Sequence, residues 1–250
     1  MKLETAIQWQ NREKLYVSLA EKPGRTGETF YRIMFDFYNI DAEYIACTCN
    51  NIDLDLNLAR HWCSGVSVTM PFKTQLGDSI DEWADIPGIA NTIKIDKKLL
   101  RAYNCDLMGM RDLLTEQIRG KSVVILGDGA MAQNMFTVCE GIATVKQYSK
   151  QLGNWDERHQ SCDVLVNATS VGMSLGSCPV NDLTGVDLVV DCVIGPTQLI
   201  KMAKENNCKC VSGSALYVAQ FKHQFKVYTG ITVDDFVVEQ VAKQVFTYDY

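Results

Sequence analysis

The run KSVVILGDGAMAQNMFTVC (121–139) constrains this chain more than any other segment. Its four apolar residues VVIL, bounded by polar and glycine positions, read as a strand buried on both faces. The strand passes without a spacer into Gly127-Asp128-Gly129, and an amphipathic helical pattern follows at once. Gly127, Gly129 and Ala132 thus form G-x-G-x-x-A between strand and helix. The first glycine permits a tight turn, the second lets a pyrophosphate reach the backbone, and the small third residue packs helix against strand. The N–H groups of the helix start then hold the anion. This setting predicts a dinucleotide site with Gly127, Gly129, Ala130 and Ala132 at the cofactor. A turn that merely reverses the chain is the alternative.

Around this unit, strand-like and helix-like blocks alternate almost to the end, which predicts an α/β architecture. Ahead of it, 14–20, 42–47, 65–69 and 89–95 read as strands, and 28–39 and 53–63 as helices. Pro71 opens a helix to about Gly77, and Asp96-Lys97-Lys98 turns a hairpin. Behind it, ATVKQY, 163–170, 187–193 and 208–213 continue a mainly parallel sheet, with helices over 197–207 and SALYVAQFKHQFKVYTG. The predicted fold is two α/β domains. Residues 1–106 form a substrate domain completed by a C-terminal helix over 226–250, and 107–225 a Rossmann-type NAD(P)-binding domain. Met108, Met110, Trp83 and the aromatics of FYRIMFDFY fit helical core faces.

With 250 residues, 47% of them hydrophobic, the chain is long enough for two cores. A net charge of -6 without a Lys/Arg-rich stripe argues against nucleic acid as a partner. The longest apolar run, KSVVILG, is too short for a bilayer, and MKLETAIQWQNREK lacks a signal-peptide pattern. The expectation is a cytoplasmic protein, monomer or homodimer, without a membrane partner. The ten cysteines fall mostly in apolar runs, with no C-x-x-C, and His61, His159 and His223 have no zinc-like spacing. Reduced, buried thiols are expected, and no metal.

After the strand ATVKQY a carboxylate would bind the ribose diol of NAD, whereas a cation or hydroxyl suits a 2′-phosphate. The chain has Gln147-Tyr148-Ser149-Lys150 there. NADP on Ser149 and Lys150 is therefore expected, with NAD left open.

Five motifs occur in order: V-T-x-P-x-K (68–73), A-N-T (90–92), N-x-D (104–106), G-x-G-x-x-A and V-N-A-T-x-x-G-M (166–173). The series resembles the shikimate/quinate dehydrogenase family over roughly residues 14–231. The resemblance implies reversible NADP-dependent hydride transfer to or from a hydroxylated cyclic acid, within aromatic amino acid biosynthesis. It assigns proton transfer to Lys73 with Asp106 as its partner, hydroxyl binding to Thr69, Asn91 and Gln220, and cofactor contacts to Thr169 and Gly213. The chemistry is coherent, because losing hydride from an alcohol requires a base for the hydroxyl proton, and a carboxylate can hold and tune a lysine.

The departures concern the substrate carboxylate. The family's Ser-x-Ser-Pro serines correspond to Arg25 and Gly27, its D-x-x-Y tyrosine to Ile194, and the Asn before V-T to Ser67. Either the ring carries another substituent, or Arg25 grips the carboxylate in a bidentate pair. On the cofactor side the family's N-R-T/S becomes Gln147-Tyr148-Ser149, where Tyr148 is a candidate to stack on adenine. The span 149–163 predicts a reduced crossover helix. A non-catalytic ligand- or cofactor-binding relative of the same fold is the alternative function. A folate-type methylene-bridge enzyme is disfavoured by Asn91, Asp106 and Gln220.

Overall fold

The structure is a computed structural model that describes residues 1–158, 161–174 and 176–247. His159 and the end of the expected C-terminal helix lie outside the described residues. The chain divides into two compact units, Met1–Cys105 with His223–Val245, and Asp106–Lys222 with the chain end from Phe246.

The first unit carries α1 (Leu3–Trp9), β1 (Lys14–Ala20), α2 (Thr26–Phe37), β2 (Ala42–Thr48), α3 (Ile52–Trp62) and β3 (Gly65–Val68). β4 (Glu82–Trp83), β5 (Thr92–Asp96) and β6 (Leu99–Tyr103) follow. The second unit holds α4 (Cys105–Ile118, entered from the first), β7 (Ser122–Leu126), α5 (Ala130–Cys139), β8 (Thr144–Tyr148) and β9 (Val164–Asn167). It continues with β10 (Leu188–Asp191), α6 (Gln198–Glu205), β11 (Lys209–Val211) and α7 (Gly213–Thr229), whose last residues belong to the first unit, as does α8 (Asp235–Val245).

The first unit's sheet has the order β2-β1-β3-β5-β6-β4. Its alternation separates two faces. Leu15, Val17, Leu19, Ile45, Cys47, Val66, Val68 and Ile93 form an apolar core with residues of α1 and α3. The opposite face shows Tyr16, Ser18, Tyr44, Gly65, Ser67 and Thr92, aligned by register. Phe30, Tyr31, Met34 and Phe35 of α2 are fully buried, and Tyr16 packs on Phe35 and Tyr228 on this side.

The second unit is an all-parallel sheet, β11-β10-β9-β7-β8. Val123, Ile125, Val164, Val166, Leu188 and Val190 face α4 and α5, and Val124, Leu126, Leu165 and Val189 face α6. Burial on both sides explains the continuous apolar runs. Among the described residues between β8 and β9 the crossover contains a single 3₁₀ turn, Trp155–Glu157, in line with the short span.

Several expectations need correction. Pro71 does not open an α-helix. Two 3₁₀ turns, Phe72–Thr74 and Gly77–Ser79, fill the segment, because Gly77 at φ 40° breaks a run too short to propagate. Trp83 lies in β4 rather than on a helix. In place of one helix over 226–250, α7 ends at Thr229 and α8 starts at Asp235, with Gly230 at φ 80° between them. Helix α1 has no counterpart among the expected elements. The hairpin at Lys97-Lys98 is present, both residues at positive φ as a two-residue turn requires.

Candidate active site

In the second unit the strand ends Leu126, Asn167 and Asp191 stand side by side. Gly127, at φ 111°, follows Leu126, and a Cβ there would lie 2.9 Å from the Ala168 carbonyl oxygen, so only glycine fits. Gly129 caps α5 with an exposed backbone, and a Cβ on it would meet nothing within 4 Å. That open side, above a helix whose first turn carries no acid, suits a pyrophosphate. Ala130 begins the helix, and Ala132 is fully buried against the sheet.

The loop after β9 is held by a network that sequence reasoning missed. Asn167 Nδ2 donates to Asp191 Oδ1 and to the Val171 carbonyl, both at 2.9 Å. Thr197 Oγ1 donates to Asp191 Oδ2 at 2.6 Å, and Val193 N–H to Oδ1 at 3.1 Å. Burial pushes the Asp191 carboxyl up, and these three donors pull against it. Thr169 spends its hydroxyl inside the same loop, donating to Asn167 Oδ1 at 2.6 Å and accepting from Val171 N–H at 3.0 Å. The available signal was a polar residue at the carboxyl end of two adjacent buried strands. Gly213 opens α7.

At the end of β8, Gln147 Nε2 donates to the Gly127 carbonyl at 2.7 Å and ties the strand to the glycine turn. Tyr148 does not offer its ring for stacking: it is 7% exposed within the core against α6, because its position in β8 points inward. Ser149 is buried, and its hydroxyl accepts from Leu152 N–H at 3.0 Å. Lys150 is exposed. Arg158 lies over the Trp155 ring and donates to the Pro179 and Trp155 carbonyls.

In the first unit Thr69 follows β3, its N–H on the Leu19 carbonyl, and its hydroxyl accepts from Met70 N–H at 2.6 Å. Lys73 sits in the first 3₁₀ turn, half-buried, and its carbonyl takes the Ala90 N–H at 3.1 Å. Asn91 is buried, and its carbonyl accepts from Val68 N–H. Its side-chain oxygen accepts from Thr92 Oγ1 and from Cys105 N–H, both at 2.9 Å. Asn91 therefore caps the start of α4, and Asp106, 8% exposed, is the next residue along. Within the second unit α7 runs so close to α4 that a Cβ on Gly109 would reach Gln220 N at 2.6 Å. Backbone bonds thus tie the segment holding Thr69 and Lys73 to Ala90 and Asn91, and Asp106 and Gln220 lie on neighbouring helices.

Arg25 is placed otherwise. Its side chain is 88% exposed and its Nε contacts Glu28 Oε2 at 3.2 Å. Ile194 is exposed as well. Burial pushes the thiols of Cys47, Cys49 and Cys63 up to about 12, as for inert core residues. Among the described residues no group of three or more His, Cys, Asp or Glu could hold a metal, and no helix is long and apolar enough to cross a membrane.

A parallel sheet with a glycine turn at its carboxyl edge, coupled in sequence to a mixed-sheet unit, defines a two-unit α/β protein with a Rossmann-type unit. No family model matches the chain. A shikimate dehydrogenase-like protein of Haemophilus influenzae is 27% identical over 258 residues, covering 92% of this chain and 95% of that one. The shikimate dehydrogenase (NADP(+)) of Archaeoglobus fulgidus is 31% identical over 211 residues, 71% of this chain and 77% of its own. A solved shikimate 5-dehydrogenase-like protein matches with a TM-score of 0.81 at 25% identity, over 94% of this chain and 98% of the other. The chain belongs to the shikimate dehydrogenase family.

Proposed function

We propose that this chain is an NADP-dependent dehydrogenase that oxidises a secondary alcohol on a hydroxylated ring and reduces the corresponding ketone. Shikimate and 3-dehydroshikimate, or a ring with a different substituent, are the substrate class. The observation that carries the reading is Asn91, whose side chain holds the start of α4 while its carbonyl receives Val68 N–H. That bond pattern ties the segment with Thr69 and Lys73 to Asn91, and Asn91 to Cys105, the residue before Asp106 in sequence.

Bound NADP supplies the hydride acceptor. Gly127, Gly129 and Ala130 would hold its pyrophosphate at the start of α5, Ala132 keeping the helix close to the sheet. Lys150, with Ser149 beside it, would meet the 2′-phosphate, and Thr169 and Gly213 would contact the rest of the cofactor. Thr69, Asn91 and Gln220 bind ring hydroxyls. Lys73 takes the hydroxyl proton as the ring carbon is oxidised and returns it in reduction, and Asp106 orients the ammonium.

Replacing Lys73 with Ala should lower turnover by about 10²–10⁴-fold while NADPH affinity, read by nucleotide fluorescence, stays near wild type. Turnover within tenfold of wild type would remove Lys73 from proton transfer. A ligand-binding relative without catalysis is the second reading, favoured by the buried Tyr148 and the internally bonded Ser149 hydroxyl. Failure to bind either NADPH or NADH would select it.

A further inference from the structure

We infer that Gln224 is a positioning residue for the ring substrate: acting through Thr92, it holds the Asn91 side-chain amide with its oxygen against the protein and its nitrogen as the end that donates to the substrate. The inference rests on the reading above, in which Asn91 binds a ring hydroxyl, and it adds a residue that this reading does not use.

Gln224 lies on α7 beside the fully buried Phe221 and Phe225 and is itself 4% exposed. An amide in such a place gives up its water, and an apolar side chain would fill the space without that penalty. Both ends of this amide are used. Oε1 accepts from the Tyr31 hydroxyl at 2.8 Å, and Nε2 donates to Thr92 Oγ1 at 2.7 Å and to the Asn91 carbonyl at 3.4 Å. These partners fix which way round the amide sits. Turned over, its oxygen would face the Asn91 carbonyl oxygen, and repulsion would replace a bond.

The direction of the bonds then passes from group to group. An amide nitrogen cannot accept, so Thr92 Oγ1 accepts from Gln224 and must spend its single hydrogen elsewhere. It donates to Asn91 Oδ1 at 2.9 Å, and the same oxygen accepts from Cys105 N–H at 2.9 Å. One donor comes from the backbone at the start of α4, the other from the side chain that Gln224 controls. Thr92 is fully buried, so water does not stand in for a lost partner. Without Gln224 the Thr92 hydroxyl can turn its hydrogen away, and Asn91 Oδ1 loses a donor. All of these groups belong to the first unit.

Tyr31, Gln224, Thr92 and Asn91 are neutral, so the substrate meets a donor fixed by geometry rather than by charge. The ring position that Asn91 serves must therefore carry an oxygen able to accept. A hydroxyl bound equally in the ground and transition states adds to affinity and not to rate, so loosening Asn91 shows in KM.

The test is an NADPH-linked assay on 3-dehydroshikimate, together with ¹⁵N relaxation of the side-chain amides in asparagine-labelled protein without ligand. Gln224→Met keeps the length of the side chain and removes both ends of the amide. It should raise KM about tenfold and leave kcat within about threefold of wild type. Thr92→Val should do the same, and Thr92→Ser should recover most of the loss. The double variant should be no worse than the worse single one, because both act on one bond. The Asn91 side-chain order parameter should fall in Gln224→Met from the rigid range, about 0.85, toward the flexible range, below about 0.6. That of Asn167, held by Asp191 in the other unit, should stay put. A merely structural role for Gln224 would lower stability without moving Asn91. The inference is overturned if KM in Gln224→Met stays within about threefold of wild type, or if kcat falls as far as KM rises. It is equally overturned if the two losses multiply in the double variant, or if the Asn91 order parameter does not move. If the wild type does not turn over 3-dehydroshikimate, the dehydrogenase reading fails for that substrate, and relaxation alone decides the role of Gln224. Should Gln224→Met fail to fold, Tyr31→Phe, which strips Gln224 Oε1 of its donor, must move both readouts the same way, or the inference falls.

Discussion

Asp81 accepts from Leu100 N–H at 2.7 Å and from Arg60 at 2.6 Å. The backbone bond first, and the guanidinium second, hold its carboxyl below the ordinary 3.8. A carboxyl lowered on folding stabilises the native state above its unfolded value, and the gain drains away as pH falls through the folded value. Asp81→Asn should therefore cost about 1 kcal/mol in urea unfolding at pH 7, a figure reduced for partial exposure. The gap to wild type should close as the pH is taken below 3.8. A gap that is constant with pH would mean that the charge is irrelevant. At this scale the sequence was legible where a motif prescribes a residue type at a fixed spacing, as at Gly127 and Ala132. It was mute about Gln224, because Thr92 and Gln224 are 132 positions apart and only the fold brings them together. Tyr148 was misjudged, since a strand end beside the glycine turn can still direct its ring into the core.

Among the elements, period-2 and period-3.6 patterns located the strands and helices around the glycine turn, because both faces of that sheet are buried and its runs are continuous. Helix α1, seven residues with two buried, and β4, a two-residue strand, carry too little pattern to be seen. Helix α6 shows how an element can depend on one side chain. Thr197 accepts from Ile200 N–H at 3.2 Å as its N-cap and donates to buried Asp191 at 2.6 Å. Thr197→Ala removes the cap and one of the three donors of Asp191, for a loss of about 2–3 kcal/mol in chemical denaturation. Thr197→Ser keeps the oxygen and should stay within about 1 kcal/mol of wild type. Equal losses in the two variants would point to methyl packing instead.

For the whole molecule, each compact unit is assembled from two stretches of chain, Met1–Cys105 with His223–Val245 and Asp106–Lys222 with the chain end from Phe246. The sequence pattern predicted the strands of the second unit and, β4 apart, those of the first, whereas the order β2-β1-β3-β5-β6-β4 depends on long-range pairing that no local pattern records. If the glycine turn holds NADP, a concentration of 100 times Kd should raise the unfolding free energy by about 2.7 kcal/mol, measured as a shift of the melting curve. A melting temperature indifferent to both NADPH and NADH would remove the nucleotide from the proposal.

Gly27 and Tyr44 are packed closely enough that a side chain at 27 bears on the ring at 44. Gly27 sits in the first turn of α2, where glycine is a poor helix former. A methyl group would strengthen the helix, yet it would press on the ring at 3.0 Å. A side chain at 27 therefore asks the Tyr44 ring to give by a few tenths of an ångström, and a library that varies 27 and 44 together measures how far the two positions depend on each other.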